Sequence, residues 1–154
     1  MIKLKLILIY GISNYLWVFK LDEINEILND FNFLDDWEDK YEYLIDLGKK
    51  LPQINQNYKI DSNKLKGCQS TVYFIVKDNE NGTLSFFADS DAAIVNGLIA
   101  ILLKVYSNKL PSEIINISTE FLKIIGLDSH LSPTRKNGLD SMIKRIKLEA
   151  HKRI

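Results

Sequence analysis

The sequence predicts an α+β domain in which helices pack around one antiparallel β-hairpin. Three observations carry this reading. Thr71-Val72-Tyr73-Phe74-Ile75-Val76 is β-branched and aromatic throughout, and the turn signal Asp78-Asn79-Glu80-Asn81-Gly82 leads into a returning run, Thr83-Leu84-Ser85-Phe86-Phe87. Ala92 to Tyr106 is apolar on nearly every side, the mark of a buried central helix. On either side of these segments, apolar residues recur at helical spacing.

The first of the flanking helices is expected from Leu21, where Leu21, Ile24, Leu28 and Phe31 share one face; Asn32 to Leu34 breaks it. A second opens at Asp35-Asp36-Trp37-Glu38 with a capping carboxylate, and places Trp37, Tyr41, Leu44, Ile45 and Gly48 on one face as core packing. Lys49-Lys50 suits the negative end of its dipole, and Pro52 closes it. Gln53 to Lys66 is polar and reads as a long connection. Beyond the hairpin, Asp89-Ser90-Asp91 ends the returning strand and caps the central helix. Pro111 starts a short helix, Ser118 caps another that stops at Gly126, and Ser132-Pro133 launches the last. In that last helix Leu139, Met142, Ile143, Ile146 and Ala150 form the buried stripe, while Lys136, Asp140, Lys144 and Lys147 form a solvated face.

A chain of 154 residues with 46% hydrophobic and 26% charged residues fits a single globular domain, here residues 21–154. Lysine plus arginine and aspartate plus glutamate number 20 each, so no net field favours nucleic acid. Met1 to Lys20 stands apart. Its apolar stretches are short and interrupted by Gly11, Ser13 and Asn14, which disfavours a membrane span, and we read it as an accessory or misassigned extension. One cysteine rules out an internal disulfide framework and fits a reducing, cytoplasmic setting. His130 and His151 lie far from it, without metal-ligand spacing, so no metal site is expected.

That cysteine, Cys68, lies in Lys66-Gly67-Cys68-Gln69-Ser70, a polar connection just before the first strand. A structural cysteine usually sits within an apolar stripe, whereas this thiol is placed to meet a partner. An incidental loop cysteine is the alternative reading.

Several stretches together resemble the SufE family of sulfur-acceptor proteins. Trp37 to Tyr41 with Leu44 to Pro52 is similar to the family's opening helix, and Gly67-Cys68-Gln69-Ser70-Thr71-Val72 to its acceptor loop. Ala88 to Ala100 resembles its central helix, and His130-Leu131-Ser132-Pro133-Thr134-Arg135-Lys136-Asn137-Gly138-Leu139 the start of its last. Thr71 and Tyr73 stand where glutamine and tryptophan are common in the family, and both remain compatible with a strand.

The resemblance implies a small antiparallel sheet of about three strands packed with helices, shared with IscU-type scaffolds. It also implies a role. Such proteins accept persulfide sulfur from a cysteine desulfurase (SufS-like or CsdA-like), stimulate it, and pass the sulfur to an iron–sulfur scaffold complex (SufBCD-like). Cys68 matches the acceptor position. No cofactor of its own is implied, since the pyridoxal phosphate belongs to the desulfurase. The chain would act as a monomer or homodimer.

The supporting candidates are Gly67, Gln69, Asp91, His130 and Arg135. Gly67 frees the loop backbone. Gln69 can donate to a developing sulfur anion or merely cap the strand. Asp91 serves as a helix-terminus carboxylate or in docking. Arg135 pairs with a partner carboxylate, stabilises the thiolate or forms an internal ion pair. His130 is a general base or a turn histidine bonded to backbone. The alternative function is a non-catalytic module that docks on a desulfurase and regulates it.

Overall fold

The computed structural model describes residues 22–154. The reading of Met1 to Lys20 as an extension lies outside them. Helix α1 is Asp22–Phe33 and α2 is Trp37–Lys49. The Gln53–Lys66 connection contains two short 3-10 turns, Gln56–Tyr58 and Asp61–Asn63. Strands β1 (Val72–Asp78) and β2 (Leu84–Ser90) then form the hairpin, and α3 (Ala93–Tyr106) follows directly. Short helices α4 (Pro111–Asn116), α5 (Glu120–Ile124) and α6 (Leu127–His130) lead into the long α7 (Pro133–His151).

Local chemistry accounts for most of these boundaries. Asp36 caps α2 by accepting from the Asp39 N–H at 2.9 Å. Ser132 caps α7, with Pro133 at its first position. The hairpin is antiparallel, pairing Val72 with Ser90 at its open end and Asp78 with Leu84 near the turn. Its buried face presents Val72, Phe74, Leu84, Phe86 and Ala88 to the core, in period two. The strands run further than the apolar pattern indicates, because backbone pairing continues through polar Lys77, Asp78, Asp89 and Ser90.

Among the described residues the sheet has two strands, where about three were expected. What flanks the pair are single bridges, Lys64 to Tyr73 on one edge and Lys109 to Leu84 on the other. The Gln53–Lys66 segment lacks the alternating apolar residues that would hold it against the core as a full edge strand.

Helix α3 is the centre of the molecule. Val95, Leu98, Ile99, Ile101, Leu102, Val105 and Tyr106 are buried between the sheet, α1, α2 and α7. The approach of α2 is unusually close. A Cβ built on Gly97 would stand 2.2 Å from the Leu44 carbonyl oxygen, and one on Gly48 would stand 2.7 Å from the Gly97 nitrogen. Two facing glycines therefore let the helix backbones touch.

Lys147 departs from the expected solvated face of α7, and Glu149 is a buried charge on the same helix. The Lys147 ammonium donates to the carbonyls of Ile117 (2.9 Å) and Ile115 (3.3 Å), closing the C-terminal end of α4, and burial lowers its pKa. Glu149 is buried. Burial alone would raise its pKa, but hydrogen bonds from Lys152 and Arg153 and the charge of Arg145 hold it below the usual range. Arg153 also pairs with Asp78, which ties the end of α7 to the hairpin.

Candidate functional site

Cys68 sits on a short loop whose base is clamped. The Leu65 N–H donates to the Val72 carbonyl at 2.8 Å, and the Thr71 N–H donates to the Asp91 carboxylate at 3.1 Å. Asp91 therefore does not cap α3. The N-cap residue is Ala92, and the Asn96 side chain instead accepts from the Ser90 N–H and donates to the Ser90 carbonyl, both at 2.8 Å. Asp91 precedes the cap by one residue, and its carboxylate faces back across the open end of the hairpin.

Gly67 has φ +88°, in the left-handed region, and a Cβ there would lie 2.8 Å from the Ser141 Oγ. The turn before Cys68 thus needs glycine twice, for its backbone angle and for its seat on α7. That seat sends the Cys68 side chain toward the first turns of α7. Its Sγ lies 3.7 Å from the Gly138 carbonyl, as a weak donor, and a Cβ on Gly138 would stand 3.5 Å from the sulfur.

The thiol is half-buried and opens on a cavity of about 580 Å³. Three segments build it: Cys68, Gln69 and Ser70 from the loop, Asp91, Ala92, Val95 and Leu98 from the start of α3, and Ser132, Thr134, Arg135, Gly138, Leu139 and Met142 from the start of α7. Its floor is apolar, from Val95, Leu98, Leu139 and Met142; Gln69, Asp91 and Arg135 form an exposed rim. Because α3 and α7 both begin here, the positive ends of two helix dipoles face the cavity. The guanidinium of Arg135 has no carboxylate partner among the described residues.

In this sheltered position burial pushes the Cys68 thiol pKa up. The resting thiol is therefore less ionised at neutral pH than a free cysteine, whose pKa is about 8.5. Alkylation of the isolated protein by iodoacetamide is expected to be slow at pH 7 and to reach half its limiting rate only above that value. A midpoint below pH 8, read from rates across a pH series, would show the thiol to be already activated.

The structure brings Gly67, Cys68, Gln69, Asp91 and Arg135 into one neighbourhood, and leaves His130 outside the cavity lining. The His130 ring stacks on Trp37 with centroids 3.8 Å apart, and its Nδ1 lies 3.0 Å from the Gly126 carbonyl. The Tyr41 hydroxyl donates to the His130 carbonyl at 2.6 Å. Trp37 and Tyr41 of α2 thereby hold the turn that delivers Ser132 and Arg135. Sequence reasoning did not single out Val95, Leu98, Gly138 or Met142 as cavity walls; all four belong to apolar or helical patterns that look like ordinary core.

Residues 25–150 match the SufE family, described as an Fe-S metabolism associated domain. This chain belongs to the SufE family. An uncharacterized SufE-like protein of Rhizobium etli is 48% identical over 131 residues, covering 82% of this chain and 88% of that protein. Another from Rhizobium meliloti is 45% identical over 138 residues, covering 87% of this chain and 99% of the relative. Among solved structures, a hypothetical protein from Thermus thermophilus superimposes with a TM-score of 0.69 at 19% identity, over 85% of this chain and 95% of that one, which establishes a common fold. Family membership associates the chain with iron–sulfur metabolism. Among the described residues, no three His, Cys, Asp or Glu side chains gather as a metal-binding set, and no helix is long and apolar enough to cross a membrane.

Proposed function

We propose that this SufE-family protein is a sulfur carrier that takes sulfane sulfur from a cysteine desulfurase on Cys68 and passes it to an iron–sulfur cluster assembly scaffold. The observation that carries the reading is the placement of the chain's one thiol against an apolar cavity with a polar, charged rim. The Cys68 thiolate attacks the outer sulfur of the desulfurase persulfide. A new S–S bond forms at Cys68, the donor's S–S bond breaks, and the donor cysteine leaves as a thiolate that takes up the proton Cys68 gave to solvent. No net oxidation occurs. The chain needs no cofactor for this step, since the pyridoxal phosphate that frees the sulfur from cysteine belongs to the desulfurase.

The sheltered thiol suits storage more than attack. An S–S bond is about 2.05 Å long, so the outer sulfur of a Cys68 persulfide needs room beside the thiol. The absence of a side chain on Gly138 leaves that room on the α7 side. Attack requires Sγ to leave its partly buried seat and enter the partner's site. Lowering the thiol pKa by one unit would raise the thiolate nearly tenfold but reduce its nucleophilicity about threefold, a net gain of only about threefold. Alignment within a partner's site is worth orders of magnitude more. Docking and loop movement therefore dominate the rate, and Arg135 and Asp91 on the rim are placed to engage the partner.

The test is mass spectrometry of the protein after incubation with a cysteine desulfurase and L-cysteine. Cys68 is expected to gain the mass of one or more sulfur atoms, removable by a thiol reductant. An unmodified Cys68, under conditions where the desulfurase itself carries persulfide, would refute the carrier reading.

A further inference from the structure

The loop that carries Cys68 has a second face. Next to the thiol cavity lies a groove of about 790 Å³ whose charged walls are Lys64, Lys66, Lys144 and Arg145 against one carboxylate, Asp61, with half-exposed Leu148 supplying apolar surface. Two of its cations are uncommitted: neither Lys66 nor Lys144 has an acidic partner among the described residues. Lys64 pairs with Asp61, whose side chain is 95% exposed, so that pair is an exposed one and worth little. Arg145 is already occupied by Glu149 and by the face of Phe74.

Charge is also unevenly distributed along the sequence. Between residues 22 and 46 there are ten acidic side chains and one basic one, whereas residues 133–153 hold seven lysines and arginines and two acids. The Cys68 loop packs on the basic segment, against Gly138 and Ser141 of α7. A basic surface next to the thiol loop orients an acidic partner before contact, raising the association rate more than the final affinity.

We infer that this basic groove seats an acidic surface of the sulfur-donating desulfurase, and that it steers the donor onto Cys68. The inference rests on the carrier reading above. Geometry supplies the link between groove and chemistry. Residues 64–66 wall the groove and residues 68–70 wall the thiol cavity, so only Gly67 separates the two linings along the loop.

The experiment measures the initial rate of Cys68 persulfidation by the desulfurase, with the carrier well below saturation, across a salt series. Lys66→Glu/Lys144→Glu is expected to slow the rate about tenfold or more at low ionic strength, and the gap is expected to close toward ~1 M salt, where screening reaches about 3 Å. Lys144→Glu alone, distant from the thiol in sequence, is expected to produce several-fold of that loss. Glu42→Lys/Asp46→Lys, an equal and opposite change on α2, is expected to leave the rate no slower than that of the unaltered protein. Alkylation of Cys68 by neutral iodoacetamide in the Lys144→Glu variant is expected to match the unaltered protein, showing that the thiol itself is unchanged. Charge-reversed protein loaded at the normal rate in low salt would overturn the inference. So would a loss confined to the later delivery of sulfur to a scaffold, which would assign the groove to that partner. Failure of unaltered Cys68 to take up sulfur at all would instead overturn the carrier reading itself.

Discussion

Replacing Cys68 with serine is expected to abolish sulfur uptake completely while leaving the fold in place. Serine cannot form a persulfide, and among the described residues no second thiol can substitute. The structural cost is small. The Cys68 Sγ makes one weak contact, 3.7 Å to the Gly138 carbonyl, and is only half-buried. A hydroxyl can replace that contact, so the stability change should stay within about 1 kcal/mol. The same variant separates the two readings of function. A carrier that relieves the desulfurase of its persulfide stops stimulating turnover when Cys68 is lost, so steady-state sulfide or alanine production should fall to the rate of the desulfurase alone. Stimulation that survives in Cys68→Ser would identify a regulatory module acting through its docked surface.

Gly97→Ala is expected to destabilise the protein more than any surface change. The added methyl would stand 2.2 Å from the Leu44 carbonyl oxygen and 2.9 Å from the Leu44 Cβ. The nearest obstacle is the Leu44 carbonyl, which is backbone, so no rotamer change relieves it and α2 and α3 must move apart. Alanine is preferred over glycine inside a helix by about 1 kcal/mol, which offsets part of the loss. Overpacking of this kind costs about 1–3 kcal/mol and sometimes more, and a contact this short belongs at the upper end. A net loss near 2 kcal/mol corresponds to about 4–8 °C in Tm for a domain of this size. Thermal unfolding followed by circular dichroism reads it directly; an unchanged Tm would show that the α2–α3 approach is looser than these distances. A functional consequence should accompany the loss, because α2 carries Trp37 and Tyr41, which hold the turn leading to Arg135.

Most helices were legible in the sequence because their signals are local. Asp36 caps α2, Ser132 and Pro133 start α7, and the all-round apolar character of Ala92 to Tyr106 marks the central helix, each within a few residues of the feature it determines. The hairpin was legible for the same reason. Its length was not, since pairing through Lys77 and Asp89 depends on the partner strand and leaves no apolar trace. Among the described residues the segment before the hairpin contributes only a single bridge at Lys64, because Gln53–Lys66 carries no alternating apolar pattern.

By itself, the sequence determined that one thiol lies in a glycine-containing polar loop before a hairpin, and it supplied motifs enough to resemble a single family. Tertiary structure alone decided what that thiol faces. The cavity is assembled from residues 68–70, 91–98 and 132–142, which meet only because α3 is enclosed by the hairpin, α2 and α7. The same packing drew His130 onto Trp37 instead of toward Cys68, turned Lys147 from solvent to the end of α4, and set the basic groove beside the loop. Periodicity and capping act over a few residues and specify elements. Which loop ends converge is settled by how closely buried faces can approach, and here facing glycines at 48 and 97 allow one of those approaches.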